Sequence, residues 1–202
     1  AASQITRYVY DNEDILAMLD GDNNLIAVFT HGPGIDEPLS MRKPDGTEFF
    51  MHADALGSVV AHTDSAGSVV ERIEYEAYGK PTFTDARGPP IISDRSFTNS
   101  PYAFTAREWD FEIKAHYYRD RTLDSDIGAF IQEDKLFDAN PYQYVKSNPT
   151  RFTDPMGAIP LDIVPDLALL TYDLATGQYD NVAVDLVGLA TPYITTVVVR
   201  AG

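Results

Sequence analysis

The chain contains no cysteine in its 202 residues. Disulfides, thiolate nucleophiles and thiolate metal sites are therefore excluded together. A cysteine-free chain suits an oxidising or a reducing compartment equally, so export stays open. No apolar run approaches the ~20 residues that a membrane-spanning helix needs. The opening Ala1-Ala2-Ser3-Gln4 has neither a methionine nor the basic and apolar regions of a signal peptide, and reads as the start of a piece of a longer protein. Basic residues are few: 15 Lys and Arg stand against 31 Asp and Glu, for a net charge of −16. That balance argues against nucleic acid or an anionic membrane as a partner of this region, since phosphate needs a basic face. His31, His52, His62 and His116 lack metal-ligand spacing, and no cofactor is implied.

What is present is enough to build a core, with 44% apolar residues and 11% aromatics. Short β-prone runs alternate with turn residues from the start. Tyr8-Val9-Tyr10, Ile15 to Leu19 and Leu25 to Phe29 are separated by Asp11-Asn12-Glu13-Asp14 and Asp20-Gly21-Asp22-Asn23-Asn24, which predicts hairpins. Residues 31 to 47 are punctuated by Gly and Pro and predict loops around one short strand. The pattern resumes with Phe49 to His52, Val59 to Thr63 and Val69 to Tyr75, the last two flanking Asp64-Ser65-Ala66-Gly67. Asp20 to Ile26 lies over Asp64 to Val70 as an internal repeat: an acidic opener, small or polar residues, then two apolar residues. Residues 80 to 100, rich in Pro and Gly, predict a surface excursion.

Residues 116 to 157 follow neither a helical nor an alternating pattern. They hold His116-Tyr117-Tyr118-Arg119-Asp120-Arg121, then Asp124, Gly128 and Phe130, then Tyr142, Tyr144, Asn148 and Pro149, and close on Asp154-Pro155-Met156-Gly157. This order resembles the conserved core that closes RHS-repeat (YD-repeat) proteins of the polymorphic-toxin and toxin-complex type. In that family R-x-Y-D-x-x-x-G-R-F precedes S-P-D-P, and N-x-Y-x-Y-x-x-N-P precedes D-P-x-G. Tyr102-Ala103-Phe104-Thr105-Ala106-Arg107-Glu108-Trp109-Asp110 resembles the family's Y-x-F-T-G-R-E-x-D element, and residues 8 to 79 are similar to its hairpin repeats.

The resemblance implies a mainly β fold of irregular antiparallel hairpins (1–79) closed by a core (80–157). A variable C-terminal segment, 158–202, would be short and helical and begin an effector or pre-toxin region. In complete family members such sheets form a shell that the core plugs. The resemblance also implies a site. Asp134 falls at the Asp of S-P-D-P, Asp154 is the Asp of D-P-x-G, and Arg121 is the Arg of R-x-Y-D; together they would cut the chain at Ala158-Ile159 in the manner of an aspartic protease. Two close carboxylates cannot both ionise cheaply, so one can act as base while the other keeps a proton. Lys135 in place of Pro, Ala158 in place of Leu or Met, and Ala129 in place of Arg depart from the pattern. They leave open a second reading, in which Asp154-Pro155-Met156-Gly157 is a structural turn in a non-cleaving interaction module. Under either reading the partners are the rest of the shell and a C-terminal effector, with exposed sheet edges favouring self-association. The resemblance implies a secreted or cell-surface setting, in competition between bacteria.

Overall fold

The fold is built from one repeated turn. In a computed structural model that describes residues 5–89, 91–134 and 140–158, five hairpins close in the same way, at 20–24, 43–47, 54–58, 64–68 and 76–80. The first residue's N–H donates to the carbonyl of the fifth, and the fourth residue's N–H donates to the carbonyl of the first. The fourth position takes a positive φ: Asn23 at 66°, Gly46 at 87°, Gly57 at 83°, Gly67 at 79° and Gly79 at 84°. A three-residue hairpin loop with a left-handed residue before the returning strand has this geometry. Where the opener is Asp, its carboxylate locks the loop. Asp54 Oδ1 accepts the N–H groups of Leu56 and Ser58, and Asp64 Oδ1 those of Ala66 and Ser68, all at 2.9 Å.

These turns make five of the eight connections in an antiparallel meander of nine strands among the described residues. The strands are β1 (Thr6–Asp11), β2 (Asp14–Asp20), β3 (Leu25–His31), β4 (Pro38–Arg42), β5 (Glu48–Ala53), β6 (Val59–Asp64), β7 (Val69–Tyr75), β8 (Pro81–Asp85) and β9 (Ile91–Ser93). Each pairs with the next. The last two strands correct the expectation of a surface excursion over 80–100. Pro81 opens β8, a place where a missing N–H is tolerated, and Phe83 is buried. A second sheet is formed by β10 (Glu108–Asp110), β11 (Ala115–Tyr118), β12 (Arg121–Asp124) and β13 (Ala129–Phe130), with Trp109 of β10 packed against the core of the first. The helical segment expected beyond residue 158 lies outside the described residues.

Two apolar clusters hold these layers. The larger joins Ile15, Met18, Phe29, Met41, Val59, Ile73 and Phe83 of the meander to Tyr102 and Ala103. The smaller gathers Phe104, Tyr118, Leu123, Phe130, Tyr144 and Val145, and fully burying each such side chain stabilises by roughly 1.5–3 kcal/mol. Gly79 joins the two units. Its missing side chain admits the Phe104 ring, which a Cβ there would meet at 2.3 Å, and its carbonyl lies 2.8 Å from His116 Nε2. The edge strand β1 leaves Tyr8, Val9 and Tyr10 exposed.

Candidate functional site

The second sheet ends in a tight β11–β12 connection, and that connection organises the site. Tyr118 pairs with Arg121, so Arg119 and Asp120 form the turn between them. Residues 119 to 121 face residues 155 to 157 in step. Arg119 Nη1 donates to the Pro155 carbonyl, the Asp120 N–H to the Met156 carbonyl at 3.3 Å, and Arg121 Nε to the Gly157 carbonyl. The approach is close enough to need a glycine at 157. Its φ is +66°, and a Cβ would sit 2.4 Å from the Tyr118 carbonyl oxygen.

Arg121 carries the centre of the arrangement. Its side chain is 4% exposed and its guanidinium stacks over the Phe130 ring, 3.8 Å from the centroid. Nη2 lies 3.0 Å from Asp134 Oδ2 and 3.4 Å from Asp154 Oδ2. Nη1 donates to the Pro141 carbonyl at 3.1 Å. Three residues distant in sequence thus meet on one nitrogen. Burial pushes the guanidinium below its ordinary value, and the two carboxylates oppose that shift. Asp134 is held by its backbone too, its N–H donating to the Pro141 carbonyl at 2.8 Å.

Asp154 is wholly buried. Its loop shares part of the meander's turn pattern, with the Gly157 N–H on its carbonyl at 3.1 Å and the Ala158 N–H on Oδ1 at 3.1 Å. One peptide unit, between Gly157 and Ala158, is therefore gripped from both ends: its carbonyl by Arg121, its N–H by Asp154. The peptide that follows begins at the Ala158 carbonyl, and Ile159 lies outside the described residues. So does Lys135.

The remaining motif residues are framework. Asp124 Oδ1 accepts the N–H of Asp126 at 2.9 Å and of Ile127 at 3.2 Å, and Gly128, with φ +68°, makes room for the Tyr78 ring. Asn148 Nδ2 donates to the Lys146 carbonyl at 2.8 Å, and its own carbonyl takes the N–H groups of Arg151 and Phe152; Pro149 follows it. Tyr142 is on the surface, its hydroxyl donating to Glu133 at 3.0 Å. Tyr144 is buried in a hydroxyl chain, 3.0 Å from Tyr118, which lies 2.7 Å from Thr105. Burial pushes both phenols well above their ordinary range.

Sequence reasoning missed a second cationic group beside the turn. Arg107 and Arg119 both contact Asp36 Oδ1, Arg119 at 2.9 Å, and both donate to the Pro155 carbonyl. Asp36 belongs to the loop between β3 and β4, far from either arginine in sequence. Among the described residues no cluster of His, Cys, Asp and Glu has the arrangement of a metal site, and no helix is long and apolar enough to cross a membrane.

No family model matches the chain. Over 161 residues it is 30% identical to the tRNA nuclease WapA of Bacillus subtilis, a match covering 76% of this chain and 7% of that protein. Over 112 residues it is 35% identical to double-stranded DNA deaminase toxin A of Burkholderia cenocepacia, covering 54% of this chain and 7% of that one. Its fold resembles a chain in the solved Photorhabdus luminescens Tc holotoxin pore, with TM-score 0.57, 20% identity, and coverage of 79% of this chain and 8% of that chain. The chain thus spans about 7% of the length of the curated relatives it matches. These likenesses support an RHS-type protein associated with toxins.

Proposed function

We propose that this chain is the closing plug of an RHS shell and cuts its own backbone once, at Ala158-Ile159, to free a C-terminal effector. The observation that carries the reading is the double grip on the 157/158 peptide by Arg121 and Asp154, with Asp134 on the same guanidinium nitrogen. Such a grip fixes the residue that would carry the scissile carbonyl, and fixed geometry is a large part of the barrier to any hydrolysis.

In the proposed step, one carboxylate of the Asp134/Asp154 pair takes a proton from water. The water oxygen bonds to the Ala158 carbonyl carbon. The other carboxyl, protonated, gives its proton to the Ile159 nitrogen as the C–N bond breaks, leaving an Ala158 carboxylate and an Ile159 amine. Arg121 keeps two acids close that would otherwise repel, and its cation offsets charge developing beside them. The enzyme would be an aspartic autoprotease acting once.

The named activities of the relatives fit a carrier role. A tRNA nuclease and a DNA deaminase toxin both share sequence with this one stretch. Two different activities attached to one shared segment suggest that the segment delivers an effector and that the effector varies. Release from a secreted or cell-surface protein, in competition between bacteria, follows from that role. A C-terminally tagged chain tests the reading: the tagged fragment should begin with Ile159 by terminal sequencing, and an uncut chain refutes it.

A second reading is favoured by one specific observation. Like the non-catalytic Asp54 and Asp64, Asp154 holds its own loop, its Oδ1 already occupied by the backbone N–H four residues on. A non-cleaving closure of the shell needs nothing more than that.

A further inference from the structure

We infer that Asp36 is a positioning residue for the 154–158 turn, reaching from the hairpin meander to set the backbone that the site acts on. Its consequence for cleavage rests on the self-cleavage reading; the positioning itself does not. Asp36 Oδ1 takes Nη2 of both Arg107 and Arg119, and each arginine turns Nη1 onto the Pro155 carbonyl. Arg119 Nη2 also reaches the Glu13 carbonyl at 3.4 Å, so the meander grips the turn at two points. The side chains are enclosed, at 3% exposed for Arg107, 11% for Asp36 and 13% for Arg119.

Two guanidinium groups at one carbonyl repel one another unless a carboxylate lies between them. Burial and the neighbouring Arg119 both press on the Arg107 cation, with Glu108 and Asp14 opposing. Asp36 is the anion in direct contact with both. Without it the arginines separate, the Pro155 carbonyl loses its donors, and the register of 119–121 against 155–157 loosens. The contact spans 83 residues between Asp36 and Arg119. It therefore forms only once β3, β4 and the second sheet have docked. Cleavage would then wait for the folded meander, which keeps an effector attached until its container exists.

Asp36→Asn is the cleanest test, because φ at this position is +58° and Asn tolerates a left-handed backbone as Asp does. Two measurements separate the claims. In an uncut Asp134→Asn background, amide exchange at Gly157 and Ala158 should rise at least tenfold on adding Asp36→Asn, with the amides of β6 and β7 unmoved. In the otherwise wild-type chain refolded from urea, the cut should form at least tenfold more slowly, and Asp36→Glu, which keeps the charge, should recover most of the rate. Unchanged exchange and an unchanged cutting rate overturn the inference. If the wild type never cuts but Asp36→Asn still frees the Gly157 and Ala158 amides, positioning stands and self-cleavage falls.

Discussion

The turn at Asp64 and the turn at Asp154 share three features. Each has an acidic opener, a glycine at positive φ three residues on, and an Oδ1 that accepts the N–H four residues on. They differ in what surrounds them. Asp64 lies at the rim of the meander, where its carboxylate does nothing beyond its own loop. Asp154 is buried, and a guanidinium shared with a second carboxylate is placed against it. The same local chemistry gives a hairpin in one place and a candidate reactive centre in the other. What distinguishes them is tertiary: the Arg121 side chain locked on Phe130, and residues 119–121 in step with 155–157.

Substitution at matched positions should separate the two turns. Asp154→Asn is expected to abolish the cut, by more than ~100-fold, since a paired-carboxylate mechanism needs both acids; Asp64→Asn should leave the rate as it is. Loss of the arginines should differ almost as much. Arg121→Ala strands two buried carboxylates and should cost about 3–5 kcal/mol in urea unfolding. Arg7, which sits on the Asp20 turn with an exposed side chain, should cost less than about 0.5 kcal/mol when cut to Ala. The glycines extend the series. Gly157→Ala meets the Tyr118 backbone and should cost about 3 kcal/mol, whereas Gly57→Ala has open space and should cost only the left-handed penalty of about 1 kcal/mol.

Acid should act through the core. Burial pushes His116 down to about 4 from an ordinary 6.5, with the Gly79 carbonyl opposing. The unfolded chain then binds the extra proton first. The stability from keeping His116 neutral is complete above pH 6.5 and is lost as pH falls toward 4. His116→Gln should flatten that limb of the stability curve. Asp64→Asn should also cost little stability, about 1 kcal/mol or less, because Asn can still accept in the loop.

Much of the meander was legible because its information is local. An acidic opener and a left-handed Asn or Gly fit within five residues, so Asp20 and Asp64 announced their hairpins. The turns at Lys43, Asp54 and Glu76 use the same hydrogen bonds and were passed over as a repeat, although Asp54 shares its opener, glycine and closing serine with Asp64. Strands β8 and β9 were hidden by prolines that read as loop, although Pro81 sits where a strand can carry it. Arg121, Asp134 and Asp154 were named through a family resemblance; no periodicity in the chain would bring them together. Asp36 left no signal at all, since its partners lie on another sheet and nothing in its own loop marks a contact.

Intact mass of the freshly purified chain, taken after denaturation so that a docked fragment is released, tests self-cleavage most directly. Wild type and Asp64→Asn are expected as two fragments that meet at Ala158-Ile159, with Asp154→Asn whole. A single full-length species in the wild type would contradict it, and the Asp154 turn would then be a structural closure like the turns of the meander.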